Sequence, residues 1–163
     1  FGPIVRLLIT TGQRREEVCG MQWQELDRRE RLWTLPSQRT KNKEPNTIPL
    51  NQLAIAELDA LAGGETWPRK GRVFATASGA GFTGYHKGKV KLDSVIEERE
   101  GEPLPPWQRL GVRFEVTEAV LNHVSGSRAG VAGVYQRHDW KEEKVQALGD
   151  WNDHLTRILT ART

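Results

Sequence analysis

A mainly helical fold carrying a small antiparallel β-sheet (α+β) is predicted for this chain of 163 residues, and three observations predict it. Apolar residues recur at intervals of three and four along several segments, two short β-prone runs flank a polar excursion, and Gly, Pro or Asn stands where each pattern stops. An apolar content of 37% over this length supports one domain with a buried core.

Pro3 suits the first turn of a helix with Ile4, Leu7 and Leu8 on one side, closed by Thr11 and Gly12. A second helix is expected through "RREEVCGMQWQEL", with Val18, Met21 and Trp23 facing inward. Leu32 to Leu35 and Thr47 to Leu50 read as the two strands of a hairpin, joined by a lysine-bearing basic tip. Asn51 can cap a helix bearing Leu53, Ile55, Leu58 and Leu61, and Gly63 with Gly64 ends it. "RVFA" is a brief strand candidate. A charged helix from Gly84 to Arg99, with Val90, Leu92, Val95 and Ile96 as its apolar side, precedes the Pro-rich "GEPLPPW". Two more helices are expected near Phe114 to Val124 and Lys141 to Leu159. In the last, Val145, Leu148, Trp151, Leu155 and Ile158 make one apolar stripe.

The formal charge is only +3, yet the isoelectric point near 9.2 and clusters such as "GQRRE", "RTKNK" and "YHKGKVK" leave cationic ground that can meet phosphate. Cys19 is the only cysteine, which leaves no disulfide framework or cysteine-rich metal site and makes the cytoplasm the expected compartment. No apolar run approaches the roughly 20 residues that span a bilayer, so no membrane partner is expected. His123, His138 and His154 lack metal-ligand spacing, and neither a Walker-type loop nor a Gly-x-Gly-x-x-Gly fingerprint occurs. Phosphate chemistry without metal or nucleotide requires arginines and a covalent nucleophile. The start inside the helix-like "FGPIVRLLIT" leads us to expect a fragment.

Three motifs can carry such chemistry, and each has a plainer reading. "TTGQRREEV" sets Arg14 at a helix start, where free N–H groups favour an anion and a guanidinium can fork onto phosphate. Alternatively, Arg14 or Arg15 pairs with Glu16 or Glu17 on a solvated face, the outcome that composition alone favours. "RTKNKEPN" presents Lys41 on a turn, as a cation for a phosphate groove and a proton donor to a leaving oxygen, or as an ordinary solubilising tip. "LNHVSGSRAGVAGVY" pairs His123 with Tyr135 across a passage rich in small residues. A phenol titrating near pH 10 is a poor nucleophile unless cations or a base assist it. The plainer fate of Tyr135 is a half-buried ring with its hydroxyl on a backbone partner.

Taken in order, Thr11-Gly12-Gln13-Arg14 with Glu17, Arg39-Thr40-Lys41, Leu121-Asn122-His123 and Tyr135-Gln136-Arg137-His138 resemble the catalytic domain of tyrosine recombinases, especially phage and prophage integrases. "MQWQELD", "WTLP", "TIPL" and "EAVLNHVSG" extend the likeness over nearly the whole chain. The resemblance implies a mainly helical catalytic fold on double-stranded DNA, a separate N-terminal domain absent here, and further protomers on the DNA. It implies that Arg14 is the first phosphate-binding arginine, Lys41 the hairpin lysine that assists the leaving 5′ oxygen, His123 a phosphate contact and Tyr135 the nucleophile. Tyr135 would form a 3′-phosphotyrosyl link, and a second 5′ hydroxyl would reverse it. Bond energy is conserved, so no cofactor is implied.

One motif departs from the pattern. The family's His-x-x-Arg has no counterpart in "LPPWQRLGVRFEV", and neither Arg109 nor Arg113 follows a histidine at that spacing. Either a segment is missing from this sequence or the motif is lost, and the close likeness on both flanks favours the first. The second would make the chain a DNA-binding remnant without cleavage activity, while a helical interaction module with merely solubilising charge is a third reading. The C-terminal stripe can dock on a neighbouring protomer or on its own core. Trp107, Trp140 and Trp151 are expected in the core.

Overall fold

The computed structural model describes residues 1–75, 84, 86–88, 90–91, 110–122 and 140–161. Helix α1 (Gly2–Thr11) begins with Pro at its first turn and ends where Gly12 takes the left-handed conformation (φ 66°), its N–H bonding to Leu8 O. Ile4 and Leu7 are buried on its inner face, and the hydroxyls of Thr10 and Thr11 are satisfied by the carbonyls of the preceding turn.

Helix α2 (Arg15–Cys19) has only five residues, so the longer helix expected through Leu26 is not formed. After Gly20 the chain runs extended through Gln22, which bridges Arg72, then makes a 3₁₀ turn at Trp23–Glu25 and enters β1 (Leu26–Asp27). Val18, Met21 and Trp23 are nonetheless buried, because the extended segment places them against the core that a helix would have served. "RVFA" is correspondingly not a strand: Val73 N–H bonds to Met21 O and Trp23 N–H to Gly71 O, an isolated antiparallel bridge.

Strand β2 (Leu32–Leu35) lies between β1 and β3 (Asn46–Pro49) in a three-stranded antiparallel sheet, one strand more than the expected hairpin. The register pairs Trp33 with Ile48 and Leu35 with Asn46. Trp33 and Leu35 point inward and are fully buried while Thr34 is exposed, the period of two that a sheet covered on one face requires.

Helix α3 (Gln52–Ala62) is capped by Asn51, whose side-chain oxygen accepts from Ala54 N–H at 3.0 Å, and stops at left-handed Gly63. Among the described parts of the expected charged helix, 86–88 and 90–91 are helical and Val90 is exposed rather than part of an apolar side; Leu92, Val95 and Ile96 lie outside the described residues. Helix α4 (Phe114–Val120) ends four residues earlier than expected, and α5 (Lys141–Thr160) runs its full expected length. The buried face of α5 carries Lys144, Ala147, Leu148, Trp151 and Leu155, so Val145 stands at its edge and is half exposed. At about 100° per residue, Lys144 lies closer than Val145 to the centre of that face. Trp151 is in the core and donates its indole N–H to Ile9 O at 2.7 Å. Trp140 packs half-buried beside Val112, Val116 and Ala147, whereas Trp107 lies outside the described residues. Among the described residues no helix is long and apolar enough to cross a membrane.

Candidate active site

Arg14 owes its position to the residues on either side. Gly12 turns the chain, and buried Gln13 donates from Nε2 to Thr11 O at 3.0 Å and to Val120 O at 2.7 Å, tying this corner to the end of α4. Arg14 is then the N-cap of α2. Its backbone N–H and its Nη1 both bond to the Glu17 carboxylate, each at 3.2 Å, while Nη2 donates to Asn122 O at 3.1 Å. Glu17 is only 3% exposed against 28% for Arg14, so the guanidinium lies between a buried carboxylate and solvent. Two of its five N–H donors are used in these bonds, which leaves donors for an anion approaching from the open side. The plainer reading of the arginine pair holds for Arg15, which meets Glu16 on the solvated face, while Arg14 also pairs with a carboxylate, that of Glu17, but a buried one.

The β2–β3 connection separates its cations by role. Arg39 turns inward, where its guanidinium bonds to the Glu25 carboxylate and donates from Nη2 to Glu17 O at 2.8 Å. Gly20 leaves room for that contact, since a Cβ there would come within 2.8 Å of Arg39 Nη2. Lys41 is exposed, and among the described residues nothing pairs with its ammonium. Its turn is fixed: Thr40 Oγ1 donates to Glu44 O at 2.7 Å, and Asn42 Oδ1 accepts from Glu44 N–H at 3.3 Å. Asn42 Nδ2 also donates to Asn122 Oδ1 at 3.0 Å, and Asn122 Nδ2 returns a bond at 3.4 Å. Asn122 thus touches both the Arg14 guanidinium and the turn that bears Lys41, and it directly precedes His123.

Behind this cluster runs a buried polar chain. Gln13 Oε1 accepts from Asn46 Nδ2 at 3.3 Å, and Asn46 Oδ1 accepts from Lys144 Nζ at 2.9 Å. Each group satisfies the next, as burial demands. The chain joins α4, the α1–α2 corner, β3 and α5.

The structure therefore brings together Arg14, the Lys41 turn and the residue before His123. His123, Tyr135 and Arg109 lie outside the described residues. Arg113 sits at the far end of α4, about 13 Å from Asn122 at the rise of a helix, with its guanidinium 5.7 Å from the Trp140 ring centre. Burial pushes the Cys19 thiol up, which makes it a weak nucleophile at neutral pH. Among the described residues no three His, Cys, Asp or Glu side chains are grouped to hold a metal. A cleft of about 360 Å³ lined by Gln22, Gln24 and Arg69–Arg72 contains none of the expected site residues. Sequence reasoning assigned no role to Asn42, Asn122, Gln13, Asn46 or Lys144. Gln13 and Asn122 stand inside motifs already singled out, but nothing in one dimension shows that Gln13 reaches Val120 O or that Asn122 reaches Arg14 and Asn42.

The site is thus carried by a mainly helical fold with a small three-stranded antiparallel sheet, and Arg14 stands beside the buried Glu17 carboxylate where sheet and helices meet. The chain belongs to the phage integrase family, whose model matches residues 3–96. Two solved structures share the fold. One is an arginine-to-lysine variant of the Tn1549 transposon integrase in complex with a circular intermediate DNA, 16% identical over 76% of this chain and 50% of that chain, with a TM-score of 0.53. The other is the Tn1549 integrase in complex with circular intermediate DNA, 16% identical over 86% of this chain and 56% of that chain, at 0.51. The chain thus spans about half the length of these structures. No curated protein matches it.

Proposed function

We propose that residues 1–163 act as one catalytic domain that cuts and rejoins double-stranded DNA at a specific site, with Arg14, Lys41, His123 and Tyr135 as its working residues. The observation that carries this reading is the meeting of Arg14 with the Lys41 turn at Asn122. Membership of the phage integrase family and the DNA held by both Tn1549 integrase structures support it. The Tyr135 oxygen attacks the scissile phosphorus, its proton passing to His123 or water, and the bond to the 5′ oxygen breaks. The Lys41 ammonium gives its proton to that oxygen, and the open donors of Arg14 stabilise the charge gathering on the phosphoryl oxygens. A 5′ hydroxyl from a second strand then attacks the phosphotyrosine and restores Tyr135, so further protomers on DNA are needed to present that strand.

A specific duplex carrying a nick near the cut site would trap the intermediate. The parent chain should form a covalent adduct, and Tyr135→Phe should form none; equal adduct from both would sink the assignment. A second reading is favoured by "LPPWQRLGVRFEV", which carries no His-x-x-Arg: a chain that binds duplex DNA and leaves it intact. Salt-sensitive binding with no adduct under any condition would establish that alternative.

A further inference from the structure

We propose that Asn122 and Asn42 form a latch that positions Lys41 against Arg14, which makes Asn122 a positioning residue of the site; this rests on the catalytic reading given above. The two side-chain amides face each other, oxygen to nitrogen in both directions, at 3.0 and 3.4 Å. They join segments 80 residues apart. Asn122 is 7% exposed, so its amide is committed to this pair rather than to water. Its backbone is left-handed, φ 50°, the conformation that asparagine tolerates better than other side chains except glycine. That conformation follows directly on the end of α4, where Asn122 N–H meets Ala119 O at 3.3 Å and Asn122 O receives Arg14 Nη2. One residue therefore holds the arginine by its carbonyl and the lysine's turn by its side chain. Asn42 completes the link by accepting Glu44 N–H within the same turn, so the latch stiffens the loop from which Lys41 projects.

The variant Asn122→Gly keeps the carbonyl and the left-handed backbone and deletes only the amide, and Asn42→Ala removes the other half. Two measurements on the full chain test the latch. Amide hydrogen exchange at Lys43 and Glu44, whose N–H groups bond within the turn, should quicken at least tenfold in Asn122→Gly while α1 and the sheet are unmoved. Unchanged exchange at those two positions overturns the latch, and this readout needs no DNA cleavage. The second uses cleavage of a duplex whose scissile phosphate has sulfur in place of the bridging 5′ oxygen, a leaving group that needs no proton. Both variants should slow adduct formation on the ordinary duplex by roughly tenfold to a hundredfold, the scale expected when a reacting group is misplaced by about an ångström. They should regain parental rates on the sulfur duplex, as Lys41→Ala should. Equal slowing on both substrates means general loosening and overturns the proposal. Absence of adduct from the parent chain would count against the catalytic reading, and with it against the latch as a device of catalysis.

Discussion

At the scale of single residues, the site is organised by what Glu17 cannot do without. It is 3% exposed, accepts from the Arg14 backbone and guanidinium, and has no route to water. Arg14→Ala should therefore destabilise the fold by about 1–3 kcal/mol, the usual penalty for stranding a buried acceptor, as well as removing the phosphate donor. Urea unfolding should show the double variant with Glu17→Ala recovering part of that loss; a deficit that merely sums would mean the two side chains are uncoupled. Asp59 provides a pH test away from the site. Arg28 holds its carboxyl below the usual aspartate range by a two-pronged bond at 2.8 and 3.0 Å, with the Trp67 indole N–H adding to it. A lowered folded-state value means stability present above the ordinary aspartate range near pH 4 and lost as pH falls through the lowered value. Because the pair is only part-buried and solvent still screens it the effect is small, and Asp59→Asn should flatten the decline between roughly pH 5 and pH 2 rather than abolish it.

Secondary-structure elements here are joined by polar side chains as much as by apolar faces. α5 meets the sheet through Lys144, which reaches Asn46 Oδ1 at 2.9 Å and Thr47 O at 3.4 Å while its stem lies in the core. The two ends of this contact differ in what their removal leaves behind. Lys144→Met keeps the stem's packing and withdraws a buried cation but leaves the buried Asn46 Oδ1 without this donor, so it should cost only about 1 kcal/mol. Asn46→Ala leaves Gln13 Oε1 without this donor and takes the Asn46 Oδ1 partner from the ammonium, with Thr47 O remaining, and should lower stability by about 1–3 kcal/mol. Thermal unfolding of the two variants separates these outcomes, and the reverse order would mean that the ammonium is the stronger attachment. The elements also show how far local pattern reaches. The capped ends of α1 and α3 and the inward face of β2 were legible from Gly12, Asn51, Gly63 and the alternation in "LWTL". Helix α2 was over-extended because Val18, Met21 and Trp23 suit a helical face, yet Gly20 and the backbone bonds of Met21 and Trp23 to Val73 and Gly71 draw them into extended chain.

For the whole molecule, the basic character is unevenly spent. Arg6, Arg15, Arg28, Arg29 and Arg39 all face carboxylates, whereas Lys41 stands open beside the Arg14 cluster. If duplex DNA approaches there, affinity should fall steeply with salt, and Lys41→Ala should reduce the log–log slope by about one, the release of one counterion. Fluorescence anisotropy at several salt concentrations measures this. An unchanged slope would remove Lys41 from the phosphate contacts. Without DNA the chain should sediment as a monomer, because the apolar stripe of α5 is largely turned onto its own core through Leu148, Trp151 and Leu155. A stable oligomer at micromolar concentration would show that exposed Val145 and Leu159 are enough to recruit a partner.

The sequence by itself determined the class of fold, the capped ends of α1 and α3, the sheet's inward face and the motifs that resemble integrases. These depend on residues close together in the chain, where periodicity and backbone preference act directly. Only the tertiary structure decided that Arg14 rather than Arg15 is anchored, that Arg39 is a strut and Lys41 is open, and that Lys144 rather than Val145 lies in the buried face. It also decided that Asn42, Asn122, Gln13 and Asn46 connect the site. The reason is physical: a polar side chain's role depends on which partner satisfies it once water is excluded, and here the partners lie tens of residues away.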